Sequence, residues 1–328
     1  MLQSVAKKAL RNERVNICLT RSTGSDIAVW SHRKTQRAFF GGLMVCGSVW
    51  ACPLCASKIA ERRKLELQIA FYKHKATGGK IAMLTLTFSH KLYDDLGVLL
   101  HHFKLANKKF FESRVFRNVR EEMNVIGRIR VLEVTYGSNG YHPHVHIALF
   151  YFNDVFLEAI ESDLLNKWID VCEKVGLQTS WEHGLRLEHG EDAANYLSKY
   201  DTWSLEQELT KAHIKKAKKD SMTPFDFLRA YVKTEDKKYL TLFADYHKHF
   251  KGKKQLQWSP GLKKLFGITE MSDEEIEKKK MESADILGML NYLEWKQIIK
   301  ANARANFLDN IELYGLEEAL KLISDKDQ

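Results

Sequence analysis

Three features of the sequence predict an α+β fold, a central antiparallel sheet with flanking helices. RIRVLEVTYG (128–137) and HPHVHIALFY (142–151) are strand-like runs joined by a short turn from Gly137 to Gly140, which makes them an antiparallel hairpin. IAMLTLTFSH (81–90) reads as a further strand, with Thr85 and Thr87 alternating with Leu84, Leu86 and Phe88. Helical runs separate these strands, so the order over residues 80–201 is strand, helix, strand, turn, strand, helix, strand, helix. That order predicts an antiparallel-rich sheet with its helices on one face.

Taken in order, residues 1–45 are polar and mixed, and an Arg- and Lys-rich amphipathic helix is expected over 56–74, broken by Gly78 and Gly79. A long helical region follows over 95–124, another over 154–175, a short strand over 184–189, and a helix that starts near Glu191. Beyond Trp203 the chain becomes mostly helical and basic: KAHIKKAKK (211–219) holds five lysines and HKHFKGKK (247–254) four. Ser272 and Glu275 fit a capping box for a helix over 273–284. This divides the chain into an N-terminal region (1–75), a core (76–203) and a C-terminal region (204–328), with a boundary near 202–205.

Composition narrows the classes. The 328 residues are 45% hydrophobic and 28% charged, as in a soluble globular protein. No apolar run is long enough to span a membrane, and no leader segment is read at the start, so a cytoplasmic protein is expected. A net charge of +9 favours a polyanionic partner. Five cysteines, three of them within ten residues, fit metal binding in a reducing compartment better than a disulfide framework.

CGSVWACPLC places Cys46, Cys52 and Cys55 in a C-x5-C-x2-C pattern, a zinc-knuckle arrangement that needs a fourth ligand. Cys18 is the first candidate and His32 the second, for a closed, structural Zn²⁺ site; buried thiols without metal are the alternative. His144 and His146 are two apart on a strand, so both imidazoles leave one face, while Val145 and Ile147 point into the core. The hairpin brings Glu133 across from them as a third ligand, and two imidazoles with one carboxylate suit a divalent ion that polarises a phosphodiester. An isolated His-x-His is more often polar sheet surface. His142 reads as a turn residue, and Thr85 and Thr87 as support for the sheet.

EDAANYLSKY (191–200) reads as a helix start with Glu191 and Asp192 in its first turn. Tyr196 and Tyr200 share a face with Asp192, and Lys199 lies beside them. A nearby cation lowers a phenol's pKa and makes it a better nucleophile. Attack on a phosphodiester would leave a covalent protein–phosphate link and a free 3′-hydroxyl, conserving the bond energy for rejoining. By itself the segment reads as an ordinary amphipathic helix; the histidine strand tips the balance.

The ordered set CGSVWACPLCASKIAERR, LTLTFSH, HPHVHIALF and YLSKY resembles the replication initiators of rolling-circle plasmids, within the HUH (His–hydrophobic–His) endonuclease superfamily, over residues 46–201. KQLQWSPGLKKLFG (254–267) is similar to a segment that recurs in such initiators. The resemblance implies a sheet related to RNA-recognition and ferredoxin-like folds, and Mg²⁺ or Mn²⁺ on His144 and His146. It also implies nucleophilic attack by Tyr196, with Tyr196, Lys199 and Tyr200 matching a Y-x-x-K-Y pattern. Relatives with one tyrosine carry a glutamate four residues earlier; here Asp192 stands there with Glu191 beside it, so either Tyr200 or an acid ends the reaction. The partners implied are single-stranded or hairpin origin DNA and a host helicase and polymerase. A relaxase or transposase of the same superfamily, and a non-catalytic zinc-containing nucleic-acid-binding regulator, are the competing readings.

Overall fold

The computed structural model describes residues 1–24, 26–190, 221–269 and 282–324. The chain forms two compact units, Met1–Leu10 with Ser48–Thr269, and Arg11–Gly47 with Glu270–Gln328. In chain order, α1 (Leu2–Ala9) belongs to the first unit, and β1 (Ile27–His32) and β2 (Ala38–Phe40) to the second. The first unit resumes with α2 (Pro53–Ala76), β3 (Lys80–Leu86), α3 (Leu96–Phe111), α4 (Arg114–Glu122), β4 (Gly127–Gly137), β5 (Gly140–Tyr151), α5 (Leu157–Glu173) and β6 (Leu185–His189). It closes with α6 (Pro224–Thr234), α7 (Lys238–Phe250), β7 (Leu256–Trp258) and α8 (Leu262–Leu265). The second unit ends with β8 (Ala284–Leu290), α9 (Tyr292–Lys300), α10 (Arg304–Tyr314) and α11 (Leu316–Ser324).

The sheet of the first unit has the order β6-β3-β5-β4-β7, and every pairing is antiparallel. β5 lies at its centre. Residues Val145–Tyr151 are all buried, which is why IALFY reads as a continuous apolar run rather than an alternation. Helices cover both faces of this sheet, where the sequence predicts one. On one face Leu67, Ala70 and Phe71 of α2 pack on Ile81, Met83, Ile129, Val131, Ala148 and Phe150. On the other, Phe88 meets Phe103 of α3 at 4.9 Å between ring centroids, and Phe103 and Phe110 meet Trp168 of α5 at 6.0 and 5.5 Å. The central strand needs cover on both sides, and only helices on both sides supply it.

Local signals explain the boundaries. Pro53 starts α2, where a missing N–H costs nothing. The region expected as one helix over 95–124 is two: Asp95 accepts from Val98 N at 2.9 Å to cap α3, and Ser113 accepts from Phe116 N at 3.2 Å to start α4 anew. Gly79 is required after α2, because a Cβ there would lie 2.2 Å from the buried His74 ring. That ring bonds through Nε2 to the carbonyls of Lys80 and Tyr151 at 3.0 and 3.2 Å, fastening the helix end to the sheet. Burial pushes the His74 pKa down, so the ring is neutral in this role.

The second unit is a smaller sheet, β2-β1-β8, antiparallel throughout, with its core built from Ile27, Val29, Leu290, Trp295, Ile298 and Phe307. A capping box of Asn291 and Glu294 opens α9. The C-terminal region, read from sequence as mostly helical, also supplies the strands β7 and β8. β7 is three residues long, below the length at which alternation can be read. The helix expected from Glu191, the boundary near 202–205 and the capping box at Ser272 and Glu275 lie outside the described residues. Among the described residues, no helix is long and apolar enough to cross a membrane.

Phe103 is buried between Phe88 and Trp168, so Phe103→Ala should lower unfolding free energy by about 3–5 kcal/mol through forfeited transfer energy and a residual cavity. Urea denaturation followed by tryptophan fluorescence reads this directly. A loss under about 1 kcal/mol would mean that the helical layer on this face collapses to fill the space.

Candidate metal centre

The hairpin of β4 and β5 sets the site. Its register pairs Glu133 with His144 and Val131 with His146, and Gly137 with Gly140 where the loop closes. Gly140 has φ +84°, and a Cβ on it would come within 2.9 Å of the Leu92 carbonyl oxygen, so the turn cannot carry a side chain there. Because strand side chains alternate, Glu133, His144 and His146 leave the same face as the α2-covered core.

The three side chains converge. Ligand atoms of Glu133, His144 and His146 lie within 4.8 Å of one another. His144 Nε2 is 3.5 Å and His146 Nε2 3.9 Å from the same oxygen, Glu133 Oε2. Glu133 is 4% and His146 8% exposed, so the group sits at low dielectric, where a cation would interact strongly with a carboxylate. Two neutral nitrogens and one carboxylate oxygen are a donor set that Mg²⁺ or Mn²⁺ can share with water and phosphate oxygens.

The other ring nitrogens show how the imidazoles are aimed. His144 Nδ1 lies 3.1 Å from the His142 carbonyl oxygen, which can only accept, so Nδ1 donates there and Nε2 is the ring nitrogen that faces Glu133. Thr85, the register partner of His146 on β3, holds its Oγ1 3.0 Å from His146 Nδ1 and turns that Nε2 the same way. Thr85 therefore orients a site residue, beyond the sheet support read for it from the sequence.

His142 is corrected too: it lies within β5, not in the turn, on the same face as His144 and His146. Its Nε2 bonds to Thr87 Oγ1, and its ring stacks on His90 at 4.8 Å, while His90 Nδ1 bonds to the Asn139 carbonyl at 2.7 Å. Burial, then the charges of His144 and His90, push the His142 pKa down to about 3. It is thus a neutral strut at the end of the row. The alternation of three histidines at 142, 144 and 146 opposite two threonines at 85 and 87 is the sequence signal for this pairing.

The cysteines fall in two pairs. Cys52 and Cys55 flank the first turn of α2, with sulfurs within 4.8 Å, and Gln3 Nε2 donates to Cys52 Sγ at 3.5 Å. Cys18 and Cys46 belong to the second unit, where Leu19 N bonds to Met44 O at 2.7 Å and brings their two chain segments side by side. Their sulfurs also lie within 4.8 Å. None of the four is in a disulfide. His32, the second candidate for the fourth ligand, is used otherwise: its Nδ1 accepts from Lys34 N and Thr35 N, both at 3.3 Å, and shapes the β1–β2 turn. Cys172 is a buried thiol away from both pairs in sequence, with its pKa pushed up to about 12 by burial. Tyr196, Tyr200, Lys199, Asp192 and Glu191 lie outside the described residues.

If Thr85 holds the His146 ring for a metal, Thr85→Val should weaken Mn²⁺ binding about 10- to 100-fold, and Thr85→Ser should restore it. Electron paramagnetic resonance of free Mn²⁺ during a titration measures both. Equal affinity in the valine variant would make the hydroxyl a packing feature only.

The family model described as "Replication protein" matches residues 43–303. "Protein rep" of Streptomyces lividans is 24% identical over 294 residues, covering 69% of this chain and 64% of the relative. A "Neomycin resistance protein" of Streptomyces cyanogenus is 28% identical over 131 residues, covering 32% of this chain and 30% of that protein. The chain thus spans less than two thirds of the length of either relative. No solved structure matches. The family match runs from the cysteine region through the Glu133–His144–His146 group and β7 into the second unit, and on that extent the chain belongs to the replication protein family.

Proposed function

We propose that the chain initiates rolling-circle replication of a plasmid-like element, nicking single-stranded or hairpin origin DNA by tyrosine transesterification and later rejoining the strand. The observation that carries this reading is the convergence of Glu133, His144 and His146 in a member of the replication protein family. A divalent ion held there, Mg²⁺ or Mn²⁺, would act as a Lewis acid on the scissile phosphodiester.

The protein's own groups do the rest. Glu133 and the Nε2 atoms of His144 and His146 would supply the ligands, and Thr85 and the His142 carbonyl hold the two rings in orientation. Tyr196 is the nucleophile: its phenol oxygen attacks phosphorus, the bond from phosphorus to the 3′-oxygen breaks, and that oxygen takes a proton to become a 3′-hydroxyl. The 5′-phosphate stays on the tyrosine. Lys199 favours the phenolate, since an adjacent cation stabilises the charged form. Tyr200, or Asp192 with Glu191, serves the closing step. The free 3′-hydroxyl primes a host polymerase, behind a host helicase. Cys46, Cys52, Cys55 and Cys18 would hold a structural Zn²⁺; the C-x5-C-x2-C spacing and the absence of any disulfide among these thiols support this.

A labelled origin-like single strand incubated with Mn²⁺ should give a covalent adduct that maps to Tyr196 by mass spectrometry. Chelation, His144→Ala and Tyr196→Phe should each abolish it, while the tyrosine variant keeps its affinity for DNA. An adduct on Tyr200 would reverse the two tyrosines. Tight, metal-independent binding with no adduct would favour a non-catalytic nucleic-acid-binding regulator. Separately, atomic absorption should find one zinc per chain, and Cys52→Ser should lose it along with thermal stability.

A further inference from the structure

The sheet face opposite the metal ligands carries a second concentration of chemistry. Arg128 and Arg130 alternate with Ile129 and Val131 on β4, so they leave the face that bears α3 and α4, not the face of Glu133. The Arg128 guanidinium lies over the Phe111 ring at 4.4 Å and the Phe116 ring at 5.8 Å. Arg130 donates through Nη1 to Gln257 Oε1 of the edge strand β7 at 3.2 Å. Arg120 sits on the exposed side of α4, one turn beyond the Phe116 that lies under Arg128.

Among the described residues these three cations have no counter-charge. Among the described residues no carboxylate forms an ion pair with Arg120, Arg128 or Arg130, and the one side-chain acceptor they have is the neutral Gln257. Burial first, then the neighbouring arginine's charge, lowers the pKa of Arg128 and brings that of Arg130 down to about 10. Partly desolvated like charges destabilise a fold unless an anion comes between them. Arginine stacked on an aromatic ring, with its planar fork of donors unfilled, is suited to bidentate contact with a phosphate.

We propose that Arg120, Arg128 and Arg130 form a phosphate-binding site that grips the backbone of a DNA strand on the sheet face opposite the metal centre. This rests on the reading of the chain as a DNA-processing protein. It adds a second grip that holds a strand while the metal-bearing face acts on another stretch of it.

The test is the salt dependence of binding. The probe is a fluorescein-labelled single-stranded oligonucleotide of mixed sequence, bound to the full chain in chelator, with anisotropy followed from about 50 to 200 mM salt. Arg120→Gln with Arg130→Gln leaves the Arg128 packing on Phe111 in place. That pair should reduce the slope of log K against log salt by about 1.4, at about 0.7 for each single-strand phosphate that is no longer neutralised. Should the pair fail to fold, Arg120→Gln alone, on an exposed helix face, should reduce the slope by about 0.7. Arg128→Lys should keep the slope and weaken affinity, because it keeps the charge and removes the fork.

An unchanged slope in the folded variants overturns the proposal. So does a thermal shift by inorganic phosphate that disappears in the variants while the DNA slope stays, since the site would then take a free oxyanion. Binding is read without metal, so it is independent of nicking. A wild-type protein that forms no tyrosine adduct but loses slope on substitution would sink the nicking reading and leave this site standing.

Discussion

The antiparallel pairing of β4 with β5 is the constraint on which the site depends. One register, Glu133 opposite His144, decides which side chains share a face. A slip of one residue would send Glu133 to the far face and bring arginines and leucines towards the imidazoles. Two things hold the register. The hairpin closes between Gly137 and Gly140 with only two residues in its loop, and Gly140 fits only because it lacks a side chain against Leu92. The apolar run from Val145 to Tyr151 then fixes β5 between helical layers that accept no other phase.

The alternation makes the two faces chemically different while sharing one strand. On β4, odd positions carry Ile129, Val131 and Glu133, and even positions carry Arg128 and Arg130. The first set continues from an apolar core into a carboxylate aimed at two imidazoles. The second continues from aromatic rings into cations. Both follow from a period of two, and neither needs a loop to position it, so the groups are held as rigidly as the sheet itself.

Much of this is legible in the sequence. The hairpin, the paired histidines, Glu133 as their partner and a strand within 81–90, which ends at Leu86, can all be read, because each is a local pattern with a fixed period. The helices on the second face cannot: a central strand is buried on both sides, but its sequence does not say by what. His142 reads as a turn residue because it stands beside Pro143 near a turn, yet β5 runs through that proline. Thr85 and Thr87 alternate like any strand residues, and their bonds to His146 and His142 emerge only once β3 is seen beside β5. β7 is too short for a period, and its place at the sheet edge depends on a chain separation of more than a hundred residues.

The second unit has a consequence for how the chain is made. Its sheet pairs Ile27 with Leu290, so one strand waits for another synthesised long after it. The first unit ends at Thr269. During vectorial synthesis the five-stranded sheet can close while β1 and β2 are still a bare hairpin, with Ile27 and Val29 exposed on it. Closing so large a loop is slow, and an unpaired β1 edge is a template for association with other chains. The β1–β2 hairpin is thus the segment that a chaperone would have to shield until β8 is made.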